Sequence, residues 1–203
     1  MVKQIRRELL ASMPLTVVLA AGVGAGLITF LVNLLSQRAS LSLEALLVAL
    51  INVVAPMAVT LTWISSCAPQ RVGEAAVRQG QTPIELATAM GSAAICATLL
   101  LPYILATAMV AGALATSVPE PLRQLPPLLG LLSPAAMARM ALHGAGLTAI
   151  SALICARQGR RCRHRSEDLP RRIAAATVEA ILVILSMEVL LFILVPPDLP
   201  PIG

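Results

Sequence analysis

The sequence predicts an all-α, polytopic membrane protein with five transmembrane helices, an N-terminal interfacial helix and a short helix in one of its polar loops. Three observations carry this prediction. Of the 203 residues 58% are hydrophobic and only 12% charged, and the mean hydropathy is +0.86, whereas a soluble domain carries about 25% charge. Five apolar segments, residues 14–35, 43–66, 92–116, 134–156 and 172–195, each reach the roughly 20 residues that a spanning helix needs. The basic residues, finally, collect in alternate connections. An N-terminus in the cytoplasm puts Lys3, Arg6, Arg7, Arg71, Arg78, Arg157, Arg160, Arg161, Arg163, Arg165, Arg171 and Arg172 on that side, against Arg38 and Arg123 on the other, which orients the bundle by the positive-inside rule.

The chain begins with residues 1–12, where Val2, Ile5, Leu9 and Leu10 alternate with Lys3, Arg6 and Arg7. That pattern suits a short helix lying in the membrane interface; a plain charged flank of the first span is the alternative. An apolar run of about 22 residues is too long for the 7–15-residue core of a secretory signal, so the first span is expected to be retained. Within it Gly22 and Gly26, with Ala21 and Ala25 beside them, form a Gly-x-x-x-Gly face that allows close approach of another helix. Lipid-facing filler is the other reading of such small residues.

The second span carries Pro56. After it, Thr82-Pro83-Ile84-Glu85 is a capping box with proline at the first helical position. Gly91 stands where a left-handed residue can end the helix. The expectation is a separate, short cytoplasmic helix over residues 82–91. Ser133-Pro134 repeats the cap-plus-proline start for the fourth span, and the proline-rich stretch from residue 118 to 134 reads as an extracytoplasmic loop.

Ionisable residues inside spans are costly and mark candidate sites. Arg139 and His143, four apart, share one face of the fourth span, and Glu188 in the fifth lies at a similar depth, so Glu188 is expected to pair with one of them. Such a pair serves either to satisfy itself in the bundle or to take part in transport. Glu179 is nine residues from Glu188, half a turn out of phase, so the two do not form a carboxylate dyad on one face.

Several function classes are excluded. Phe30, Trp63, Tyr103 and Phe192 are the only aromatic residues, too few for base-stacking platforms, so no nucleic-acid partner is expected. Lys3 is the single lysine and no G-x-x-x-x-G-K-[ST] loop occurs, so ATP is not hydrolysed by this chain in the P-loop manner. Cys67, Cys96, Cys155 and Cys162 are expected to stay reduced. Cys155, Cys162 and His164 lack the paired spacing of a metal site, and no metal, cofactor or enzymatic centre is expected.

Pro56, Glu74, Ile84, Glu85, Met90 and Gly91 together resemble the core of the MlaE (YrbE-like) permeases, membrane subunits of lipid-moving ABC transporters. His143-Gly144, Cys155, Gly159 and Glu188 resemble a second stretch of that family, and the two stretches cover about half the chain. Ile64-Ser65-Ser66, Ala93-Ala94, Pro102-Tyr103 and the cluster from Arg160 to Arg165 depart from its pattern. The resemblance implies a single permease domain over residues 1–203 that works as a homodimer in the bacterial inner membrane. In it, residues 82–91 would be the coupling helix that docks on a partner ABC ATPase, with Glu74, Thr82, Ile84, Glu85, Met90 and Gly91 as the coupling residues. It also implies a periplasmic MCE-domain protein as lipid acceptor or donor, optionally a small STAS-type subunit, and phospholipid or another lipid as cargo. Two rival readings are a non-transporting membrane scaffold of the same fold and an ion-coupled carrier built on Arg139, His143 and Glu188.

Overall fold

The computed structural model describes residues 2–34, 47, 49–77, 82–115, 133–162 and 168–194. The expected proline-rich loop up to residue 132, and Arg163, His164 and Arg165, lie outside the described residues. Within these limits the chain is a bundle of five helices: α1 Val2–Leu34, α2 Ala55–Val77, α3 Pro83–Ala115, α4 Pro134–Arg160 and α5 Leu169–Leu194. A π-helical turn, Leu50–Val54, leads into α2. All five are long and apolar enough to cross a membrane, as the apolar runs predict, and the protein is a multi-pass membrane protein. The outward surfaces are correspondingly apolar: Val18, Phe30, Leu142, Leu182 and Ile193 are all exposed.

Two expected boundaries are corrected. A separate N-terminal helix is not shown, because α1 runs unbroken from Val2 through Pro14. Its first turns bury Glu8 in the bundle, while Leu10 faces out. Nor does a short helix end at Gly91. The Thr82 cap opens a helix that continues for 33 residues to Ala115. A glycine inside a helix costs only about 1 kcal/mol, and Ser92 and Ala93 are buried immediately beyond Gly91, so packing carries the helix through the expected stop. At 1.5 Å per residue, α1 and α3 are each about 50 Å long, well over the roughly 30 Å of a hydrocarbon core.

The helices pack along slanted rows of every fourth residue, the ridge spacing of the commonest helix-packing class. On α1 the buried row is Glu8, Ser12, Thr16, Ala20, Gly24 and Ile28. It seats mainly on α3, and the close approach falls on Gly24, where an added Cβ would lie 2.1 Å from the Ala108 carbonyl oxygen. Gly22 and Gly26 are exposed and have nothing within 4 Å of a Cβ. The close helix contact inside this chain therefore uses the glycine between the two expected ones.

Pro56 sits in the first turn of α2, where its ring would crowd the carbonyl four residues earlier in α geometry. The widened turn at Leu50–Val54 lies just ahead of it. α2 is the central helix, touching all four others and burying Trp63 completely. α4 begins as expected, with the Ser133 hydroxyl accepting from the Ala136 amide at 3.1 Å and Pro134 following. Near its other end Gly159 lies so close to α2 that a Cβ would meet Ala75 Cβ at 2.5 Å and Val72 O at 2.6 Å. α5 packs on α4 and α2 through the fully buried Ala176, Ala180 and Ile184.

Candidate functional site

Two polar groupings interrupt the apolar bundle. The first lies where the start of α1, the end of α2, the start of α3 and the end of α4 meet. Arg71 of α2 forms an ion pair with Glu8 of α1, both side chains at least nine-tenths buried. The Trp63 indole donates to the other Glu8 oxygen at 3.1 Å. Arg71 also donates to Ser92 of α3 at 2.5 Å, and the Gln4 carboxamide oxygen turns toward the same guanidinium. Beside this core Arg7 pairs with Glu74, and Ser12 meets the Cys67 thiol at 3.5 Å. Arg71, counted from the sequence among the loop cations, is thus an interior residue. A bare guanidinium there would be prohibitive, and the carboxylate of Glu8 supplies its counter-charge.

A cavity of about 110 Å³ opens at this end, lined by Gln4, Arg71, Glu74, Glu85 and Thr88 with Ala89, Ala152 and Ala156. Glu74 and Glu85, placed in one functional group by sequence, therefore border one space. Thr82 and Glu85 form the reciprocal capping bonds, the Glu85 amide donating to Thr82 Oγ1 at 3.3 Å and the Thr82 amide to Glu85 Oε2 at 3.1 Å. Ile84 projects outward, 78% exposed. Met90 is half-buried, and Gly91 lies within the helix rather than at its end. This end of the bundle thus offers an exposed apolar side chain, two carboxylates and a small cavity on a rigidly capped helix.

The second grouping lies toward the opposite end. His143 Nε2 of α4 is 3.0 Å from Glu188 Oε1 of α5, with both side chains mostly buried. Arg139, one turn earlier on α4, does not join them; it donates to Asn52 Oδ1 in the π-helical turn at 3.1 Å. Glu188 extends the buried row of α5, four residues after Ile184, which is why it reaches α4. Deeper in the bundle the Thr60 and Thr148 hydroxyls meet at 3.1 Å. Glu179 serves a different contact: it accepts from Gln158 and lies 3.7 Å from Arg157 of α4, while Arg172 of α5 donates to Gln158 at 3.5 Å. The two glutamates of α5 therefore clamp it to α4 at separate levels.

The cysteines are buried and unpaired in disulfides, and among the described residues no group of three His, Cys, Asp or Glu side chains is placed to hold a metal ion. Cys162, just beyond α4, has its thiol pushed up from the usual value, chiefly by burial.

Sequence reasoning missed the Glu8–Arg71–Trp63–Ser92 cluster. Its only trace in the sequence is a lone acid at the head of a row of small and hydroxyl residues, Glu8, Ser12, Thr16, Ala20, which signals a helix side that is polar toward its neighbours. Neither a scan against family models nor a search of curated proteins finds a match for the chain.

Proposed function

We propose that this chain is the permease subunit of an ABC transporter for phospholipid or another lipid, driven by a separate ATPase that docks at the α2–α3 end. The observation that carries this reading is the capped head of α3, with Ile84 exposed and Glu85 and Glu74 bordering one cavity. The coupling element is then not a detached lever but the protruding first turns of α3 itself. A continuous helix of about 50 Å would pass a push at Ile84 along its length as a rigid-body displacement. The N-terminus and the docking end face the cytoplasm of a bacterial inner membrane, and two copies of the chain enclose an apolar lipid path. An aromatic-poor, apolar lining suits acyl chains, which need volume rather than directed bonds. A periplasmic MCE-type carrier exchanges lipid at the opposite end.

The test is co-purification with the ATPase, together with ATP-dependent lipid transfer in proteoliposomes, for Ile84→Asp and Glu85→Arg. Loss of both ATPase binding and transfer supports the reading. Intact transfer in both variants refutes it.

A second reading draws on the mostly buried His143–Glu188 pair, since ionisable pairs within membrane helices recur in proton relays. An ion-coupled carrier would transport without any ATPase and would stop on Glu188→Gln.

A further inference from the structure

Among the described residues Arg139, which lies within a spanning helix, has no carboxylate partner. Arg71, Arg7 and Arg157 each have a carboxylate partner, whereas among the described residues Arg139, like Arg172, meets only a neutral amide oxygen, in its case that of Asn52. The Glu188 carboxylate, also at this end of the bundle, is held by His143 one turn deeper. An amide can orient a guanidinium but cannot neutralise it, so among the described residues the positive charge of this exposed side chain of a spanning helix has no counter-charge. Arg139 is five residues past Pro134, which begins α4, hence about 7.5 Å along the helix axis from that end. The 27 residues of α4 span about 40 Å, so a centred helix overhangs a hydrocarbon core of about 30 Å by about 5 Å at each end, which puts Arg139 near the boundary between phosphates and acyl chains. Nη1 and Nε take no partner among the described residues and Asn52 uses one of the two Nη2 hydrogens, so one fork, Nη2 with Nε or Nη2 with Nη1, stays open to a phosphate.

The surroundings are apolar on the side facing the bilayer. Leu142, three residues further along α4, is 77% exposed, and Val53, beside Asn52 in the π-helical turn, is also exposed. A cationic fork near the helix end, with bare aliphatic surface next to it, matches a molecule that carries an anion at one end and hydrocarbon at the other. A π-helical turn often marks a functional position, and here it places Asn52 where it aims the guanidinium.

We propose that Arg139, oriented by Asn52, binds the phosphate of a phospholipid whose acyl chain lies along Leu142 and Val53. The proposal goes beyond ATPase-coupled transport and needs only that α4 crosses a bilayer. No ATPase takes part in its test, so either reading can fail alone.

The purified full chain in detergent is titrated, with bound lipid counted by native mass spectrometry, against phosphatidylglycerol, phosphatidylcholine and diacylglycerol of identical acyl chains. The two phospholipids should saturate at about tenfold lower concentration than diacylglycerol, a difference of roughly 1.4 kcal/mol. Arg139→Gln should bring both down to the diacylglycerol level, and Arg139→Lys should retain part of the preference. Gel filtration and Trp63 emission report the fold of each variant, and the comparison of lipids on the unaltered chain needs no variant at all. Equal uptake of diacylglycerol on the unaltered chain overturns the proposal, as does phospholipid uptake untouched by Arg139→Gln. Displacement of bound phospholipid by inorganic phosphate alone also overturns it, since the site would then be a water-open anion site.

Discussion

Replacing Arg71 by methionine should be among the most destabilising single changes in the bundle, and replacing Glu8 at the same time should restore much of the loss. The Glu8 and Arg71 side chains are only 1% and 8% exposed. At close contact and an effective dielectric constant of about 20, their attraction is about 4 kcal/mol. Among the described residues, removing Arg71 leaves Glu8 buried with the Trp63 indole as its one side-chain partner, so Arg71→Met should cost about 3–5 kcal/mol. Glu8→Gln keeps shape and can still accept from Trp63, yet leaves Arg71 with only Ser92 and Gln4. The double variant removes both charges, and the coupling should fall at about 1–3 kcal/mol. Trp63 is the only tryptophan and touches the pair directly, so unfolding by denaturing detergent followed by its emission reads the cluster itself. Strictly additive single and double variants, or an Arg71→Met variant within about 0.5 kcal/mol of the parent, would refute the reasoning.

Gly24→Ala should cost about 1–3 kcal/mol by forcing α1 off α3, because the new Cβ would sit 2.1 Å from the Ala108 oxygen. Gly22→Ala, with open space around it, should be neutral or gain up to about 1 kcal/mol from helix propensity; the same unfolding assay ranks the two. Ser133→Ala removes the cap on the Ala136 amide and should cost about 1 kcal/mol, seen as faster hydrogen exchange confined to the first turn of α4. Cys162 has a raised thiol because of its burial; thiolate appears only as pH rises through that higher value, so maleimide labelling of a Cys162-only variant should lag a free thiol at neutral pH and approach it in alkali. Labelling as fast as a free thiol at neutral pH would contradict the burial. Glu188→Gln and Glu179→Gln should each loosen α5 from α4 at their own level, measurable as increased spin-label mobility at that end and not at the other.

Some features are local, and these are legible from residues alone. The number of spanning helices follows from the lengths of apolar runs, and the starts of α3 and α4 follow from Thr82-Pro83-Ile84-Glu85 and Ser133-Pro134, where cap and amide lie within three residues. Ends are less legible, since Pro14 and Gly91 look like boundaries and are not. A local break costs a few kcal/mol at most, and the packing of Ser92, Ala93 and the α1 row outweighs it.

What only the tertiary structure decides is which side of each helix is buried, and therefore which polar residues meet. Glu8 and Arg71 are 63 positions apart, and Arg139 and Asn52 are 87 apart. In water an apolar stripe announces the buried face. In a bilayer both faces are apolar, and helices choose one another by small residues and polar bonds. Gly24 rather than Gly22 or Gly26 against Ala108, and His143 rather than Arg139 against Glu188, are choices made by the slant of interlocking side-chain rows, a geometry that exists only once the helices are side by side.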